Sequence, residues 1–139
     1  MTPEAKKEAV VRLQKALDAG DRDTVEALLH DDYEFLSMEV ADEWQENGKT
    51  FSGRLNKAQY LEFGVPACQR VTRGGMNFTF DVVACDGDHV FLTGNSNAIG
   101  HNGKPYNNVY CWYFRFSGDK IIHKREYRDT HHSRIVLFD

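Results

Sequence analysis

Near the end of the chain Lys124, Glu126 and Arg128 occupy every second position, and Asp129 follows directly. Alternate side chains of a strand share a face, so Ile122, Lys124, Glu126 and Arg128 point one way and Ile121, His123, Arg125, Tyr127 and Asp129 the other. A carboxylate between two cations can do one of two things. It can form a static ion pair with Arg128, with Lys124 or with Arg115 of a neighbouring strand. It can instead carry a proton to and from a ligand, if its surroundings hold water away and bring its proton affinity toward neutrality. One bulge would exchange Glu126 for Tyr127 and Asp129 on that face. Asp129 has a structural alternative too, as the cap of a turn that begins at Thr130.

The remaining candidates are weaker. His131 and His132 are adjacent, so on a strand they point apart, and they read as a solvated tail rather than as metal ligands. His89, His101 and His123 read as exposed or simply hydrogen-bonded, although a histidine entering a pocket would be a natural partner for Glu126 in a dehydratase-like reaction. Asn95, Asn97 and Asn108 are uncommon strand residues. Facing a cavity they would hydrogen-bond an oxygenated ligand, and at an edge they would face water. Trp44, Tyr60 and Phe63 suit a core or a cavity wall. There is no glycine-rich phosphate loop, no serine-triad motif and no calcium-loop pattern, so nucleotide-dependent and nucleophilic chemistry have no motif behind them. Neither a cofactor nor a metal is expected.

The elements that must position these residues follow from local patterns. Thr2-Pro3-Glu4 is an N-cap, a proline at the first helical position and an acid at the positive end of the dipole. Val10, Leu13, Ala16 and Leu17 then share a helical face, and Gly20 supplies the left-handed stop, so a helix ends at or near Ala19. Asp23 with Glu26 predicts a second, shorter helix ending near Asp31-Asp32. Tyr33–Met38 alternates as a strand, Asn47-Gly48 is a turn signal, and Lys49–Gly53 can be a short strand. Asn56 caps a third helix over Lys57–Gln69, which Pro66 kinks or ends. Four β-rich runs follow, Met76–Cys85, His89–Ile99, Asn107–Phe116 and Lys120–Tyr127, separated by Asp86-Gly87, Asn102-Gly103 and Ser117-Gly118-Asp119. Helices first and hairpins after predict an α+β fold with helices on one face of a curved antiparallel sheet.

With 139 residues, 17 Lys+Arg against 21 Asp+Glu and a net charge of −4, the chain reads as one soluble domain spanning 1–139, large enough for a core. It lacks an apolar run of membrane-spanning length, and its charged, helical start does not look like a secretion signal, which together predict a cytoplasmic protein. The acidic balance argues against nucleic acid and anionic lipid as partners. Cys68, Cys85 and Cys111 have neither disulfide nor zinc spacing and read as small buried hydrophobes. The strand holding Asn108, Tyr110, Trp112, Phe114 and Phe116 on one face and Val109, Cys111 and Tyr113 on the other is aromatic on both. Helices in a domain of this size cover one face, so the outer one suggests a homodimer.

The segment Asn108–Thr130, NVYCWYFRFSGDKIIHKREYRDT, resembles the last hairpin of the nuclear-transport-factor-2-like superfamily, in particular its SnoaL-like, ketosteroid-isomerase-like branch. The opening ALDAGDRDTVEALLHDDYEF is similar to that family's entry into its first strand. The resemblance implies a cone-shaped, cystatin/NTF2-like α+β barrel, with three helices from the N-terminal half packed in a strongly curved, mainly antiparallel sheet and a pocket open at one end. Relatives include steroid isomerases, polyketide cyclases, scytalone dehydratase, limonene epoxide hydrolase, phenazine-pathway proteins and binding modules, so fold alone does not select a reaction. The tyrosine, base and protonated aspartate of the steroid isomerases would fall on Leu13, Ser37 and Trp112, which cannot perform those roles. The Asp-Arg-Asp set of the limonene enzyme has no full counterpart.

The same register places Lys124, Glu126 and Arg128 on the pocket side, and Arg125-Glu126-Tyr127 resembles a segment whose glutamate does acid/base work in the phenazine-pathway relatives. Among Tyr110, Trp112 and Phe114 a glutamate would be desolvated and its pKa raised, while a guanidinium two residues on would lower it again. Asp129 loosely resembles the acid/base aspartate of the polyketide cyclases. These readings give Glu126 and Asp129 as catalytic candidates, and Trp112, Tyr110, Asn108, Arg128, Phe114, Tyr60, Phe63 and Trp44 as substrate-binding ones. The expected function is cofactor-independent proton transfer, as in an isomerase, dehydratase, cyclase or lyase, on an oxygenated aromatic or polycyclic compound. The alternative is a binding or association module in which Glu126 and Arg128 form a static pair.

Overall fold

The computed structural model describes residues 1–37, 43–46 and 49–138, without the side chains of 43–46, 49–52 and 138. Helix α1 covers Pro3–Ala19, with Thr2 Oγ1 accepting from the Ala5 amide and Gly20 (φ 68°) closing its end. Both caps match the sequence reading. The stripe Ala9, Val10, Leu13, Ala16 and Leu17 is buried. Helix α2 spans Arg22–Leu28 and is capped by Asp21, whose carboxylate accepts from the Thr24 amide and hydroxyl, rather than by Asp23. It stops earlier than expected because the chain turns extended at Leu29, which sends Leu29 and Tyr33 into the core.

Strand β1 (Leu29–Ser37) follows. β2 (Glu43–Glu46) pairs with β3 (Lys49–Ser52), and β4 (Arg54–Asn56) returns antiparallel to β1. Met38 and the Asn47-Gly48 turn lie outside the described residues. Asn56 and Gln59 form a reciprocal capping box that starts α3 (Lys57–Gln59), which continues as a π-helical turn over Tyr60–Gly64. Pro66 interrupts it, as its missing amide and fixed φ require, and α4 (Ala67–Val71) follows.

The second half is β5 (Thr79–Asp86), β6 (His89–Asn95), a short β7–β8 pair (Ala98–Ile99, Pro105–Tyr106), β9 (Val109–Ser117) and β10 (Lys120–Arg128), closed by α5 (Thr130–Ser133) and a π-helical turn to Phe138. The main sheet runs β4-β1-β10-β9-β6-β5, antiparallel except where β1 lies parallel to β10. It is the expected curved α+β sheet but not a closed barrel, since β4 and β5 are separate edges.

Strict alternation fails at one place in β10. The register breaks between Ile121 and His123, so Ile121, opposite Phe116, is buried with Lys124 rather than facing outward with His123. A bulge here keeps Lys124, Glu126 and Arg128 opposite the inward-facing Phe114, Trp112 and Tyr110. The three cysteines are free and half-buried rather than buried.

Gly94 of β6 shows how tightly the sheet packs beside Trp112. A Cβ there would lie 2.7 Å from the Thr79 carbonyl oxygen and 3.2 Å from the Trp112 ring. Since the first contact is backbone, Gly94→Ala is expected to cost about 1–3 kcal/mol in urea unfolding. An unchanged midpoint would show that β5 yields freely.

Candidate functional site

The inner face of the sheet, α1, and the α3–α4 segment line an open-mouthed cavity of about 740 Å³ that holds both apolar and ionisable groups. Phe35 of β1 and Leu55 of β4 line one side, Tyr60, Phe63 and Cys68 another, and Tyr110, Lys124, Glu126 and Arg128 form the floor. Two local devices bring the chief ionisable groups to it. Glu126 and Arg128 come from the post-bulge register of β10, whereas Tyr60 comes from the π-helical turn that the Asn56 box starts.

Glu126 is held at both oxygens. The Trp112 indole N–H donates to Oε1 at 3.0 Å, and Arg128 Nη1 donates to Oε2 at 2.5 Å. The guanidinium therefore lies inside, against the carboxylate, with only 13 % of its side chain exposed. Burial lowers the Arg128 pKa to about 10. Its Nε donates to Ser133 Oγ at 2.9 Å, which ties β10 to the C-terminal turn.

Lys124 is buried deeper still, 2 % exposed, with its ammonium donating to Gln14 Oε1 and, at 3.1 Å, to the Tyr60 hydroxyl. The rings of Phe35, Tyr60 and Phe114 stand 5.6–5.7 Å from its nitrogen. Among the described residues no carboxylate lies within ion-pair distance of it. Burial pulls its pKa down to about 8, against the opposing pull of Glu126. Desolvation also raises the pKa values of Tyr33, Tyr60, Tyr106 and Tyr110 above the ordinary tyrosine value, and that of Cys68 to about 12.

Tyr110, Arg128, Tyr60 and Phe63 thus meet Glu126 around one hollow. Trp112 and Phe114 are wholly buried behind its wall, Trp112 reaching it through its hydrogen bond to Glu126. Asn108 is used inside the protein, its amide donating to the Tyr106 hydroxyl, the Asp129 carbonyl and Ser133 Oγ, each at 2.9 Å. The Asp129 carboxylate accepts from the His132 amide and caps α5, the structural alternative that the sequence offered. The side chain of Trp44 lies outside the described residues. His132 stacks on Tyr106 at 5.5 Å within α5 instead of trailing in a tail.

Sequence reasoning placed Lys124 on the pocket side without giving it a role there, and it missed Gln14, Cys68 and Tyr106 as cavity residues. Two of these carried a signal. Gln14 interrupts an apolar helical stripe, and Lys124 shares the alternation of Glu126, so both were polar groups on faces that had to be buried.

A SnoaL-like domain model matches residues 10–124. No curated protein matches by sequence. Solved structures that superpose include TerC co-crystallised with polyporic acid, at 18% identity and TM-score 0.76 over 95% of this chain and 97% of that one. A putative isomerase from Bacillus subtilis superposes at 15% identity and TM-score 0.77, over 98% and 95%. An LEH-like epoxide hydrolase from M. tuberculosis does so at 21% identity and TM-score 0.68, over 97% and 90%. At these identities the structural likeness establishes the fold alone.

Proposed function

We propose that this chain, which belongs to the SnoaL-like family of the NTF2-like superfamily, is a cofactor-independent enzyme that moves a proton on an oxygenated aromatic or polycyclic compound held in the cavity. The observation that carries the reading is Glu126, a carboxylate lining a hollow of about 740 Å³ and oriented by Trp112 and Arg128. A base must lie within hydrogen-bond reach of the proton it takes, and fixing both oxygens sets the direction from which Glu126 meets a ligand. Once Glu126 has taken the proton, negative charge grows on the ligand oxygen. Arg128 and Tyr110 line the same cavity and can stabilise that charge. Hydrolysis by a water held between two aspartates has less support, because Glu126 is the one carboxylate lining the cavity among the described residues.

A binding module is the second reading, favoured by the same Glu126–Arg128 pair, and TerC's co-crystallisation with polyporic acid is compatible with either. The two separate in heavy water. The protein is incubated with a panel of hydroxylated aromatic ketones while ligand proton signals are followed by NMR. Catalysed loss of an α-proton signal supports the enzyme. Saturable binding with no exchange across the panel supports the module.

The reading includes a homodimer through the outer sheet face. Phe91 of β6, Val109 of β9 and Tyr127 of β10 leave large apolar surface there, 46 %, 57 % and 42 % exposed respectively. A second copy seated on it would remove that surface from water. Light scattering is expected to give a dimer mass for the wild type and a monomer mass for Phe91→Lys. A wild-type monomer at micromolar concentration overturns this part.

A further inference from the structure

We propose that the Lys124 amine is a nucleophile that condenses with an aldehyde or ketone carbonyl in the cavity to form a Schiff base. The observations are geometric. Lys124 is among the residues that line the hollow, yet it is only 2 % exposed, with the rings of Phe35, Tyr60 and Phe114 standing 5.6–5.7 Å from its nitrogen. No described carboxylate pairs with it. A lysine that only neutralised a charge would have such a partner, and one that only filled space would be better replaced by an apolar side chain. The groups that do hold it suit a neutral amine. Gln14 Oε1 accepts an N–H in either protonation state, and the Tyr60 hydroxyl accepts from the ammonium or donates to the amine lone pair.

The groups that face Lys124 are Gln14 from α1, Phe35 from β1, Tyr60 from the π-helical turn, Phe114 from β9 and its own neighbour Glu126, while Cys68 acts on it from a greater distance. Burial outweighs the carboxylate. With its pKa near 8, about a quarter of the amine is neutral at pH 7.5, against about one part in a thousand for an ordinary lysine. The neutral nitrogen adds to the carbonyl carbon, and the carbonyl π pair moves to oxygen. That oxygen then leaves as water with both amine protons, which leaves a C=N bond. Condensation needs Lys124 and the cavity alone. A following step, removal of the α-proton to give an enamine, rests on Glu126 acting as a base as proposed above.

The probe is benzaldehyde with sodium cyanoborohydride at pH 7.5, and adducts are located by peptide mapping. Lys124 is expected to take up a single benzyl group at least tenfold faster than any of the other seven lysines, at a rate that climbs between pH 7 and 8.5. Lys124→Arg, which keeps a cation but cannot condense, is expected to lose the fast adduct. If this variant fails to fold, the wild-type map decides alone. Labelling in which Lys124 is no faster than surface lysines overturns the proposal. That result leaves the Glu126 reading intact if α-proton exchange is still catalysed, whereas fast labelling with no exchange removes the Glu126 reading and keeps this one.

Discussion

Glu126→Gln is expected to lower turnover of any compound the cavity converts by about a hundred- to ten-thousand-fold, the usual contribution of a positioned acid or base, with ligand affinity changed far less. The change of shape is minimal, so the loss would report the proton. The substitution has a second consequence that needs no substrate. Glu126 offers one oxygen to the Trp112 N–H and one to Arg128, whereas glutamine has a single oxygen for the two donors. Whichever way the amide turns, its NH2 faces a donor. With Trp112 wholly buried and Arg128 nearly so, this mismatch is expected to cost about 2–4 kcal/mol in denaturant unfolding. A variant as stable as the wild type would mean that the two hydrogen bonds are weak. A variant that binds ligand normally and turns it over at the full rate would remove Glu126 from the mechanism.

How much of this was legible in the sequence depended on the range of the interaction. Capping is local, so Thr2, Gly20, Asn56 and Pro66 placed boundaries closely, and the alternation of β9 identified its inward aromatic face. Asp21 was missed because Asp23 with Glu26 satisfies the same local rule two residues later, and only the burial of Leu29 and Tyr33 decides where α2 must stop. The bulge at Ile122 was not legible either, since it depends on how β10 meets β9 across the hairpin. Among site residues, Glu126 and Arg128 could be placed by period and family likeness. Asn108 could not be told apart from a ligand-binding group, because Asp129 and Ser133, which its amide meets, are more than twenty residues away, whereas the capping role of Asp129 is local and was offered by the sequence as one of two alternatives. The environment of Lys124 was the least visible feature, for it is assembled from residues 14, 35, 60 and 114.

That environment makes stability depend on pH in a direction opposite to the usual loss in alkali. In the unfolded chain Lys124 keeps a pKa near 10.5, and in the native state it falls to about 8. Well below pH 8 both states hold the proton, and the folded protein bears the whole cost of a buried ammonium, about 3–4 kcal/mol at 1.4 kcal/mol per tenfold change in affinity. Above pH 8 the native state gives up a proton that the unfolded chain retains, so stability rises with pH. Cys68 works in the other sense. Raised from its ordinary 9 to about 12, it keeps its proton when folded and loses it when unfolded, so stability falls above pH 9, and the four buried tyrosines add to the fall above pH 10. The net expectation is a gain of about 1 kcal/mol between pH 7 and 9, or about 3 °C in Tm, followed by a decline. In Lys124→Met the gain is expected to vanish and the decline to remain. A wild-type Tm that is flat or falling from pH 7 to 9, together with a parallel curve for the variant, would show that Lys124 titrates like a surface lysine. Glu126→Gln adds a cross-check. Removing the carboxylate that favours the ammonium lowers the Lys124 pKa further, so in that variant the rise should begin at lower pH than in the wild type.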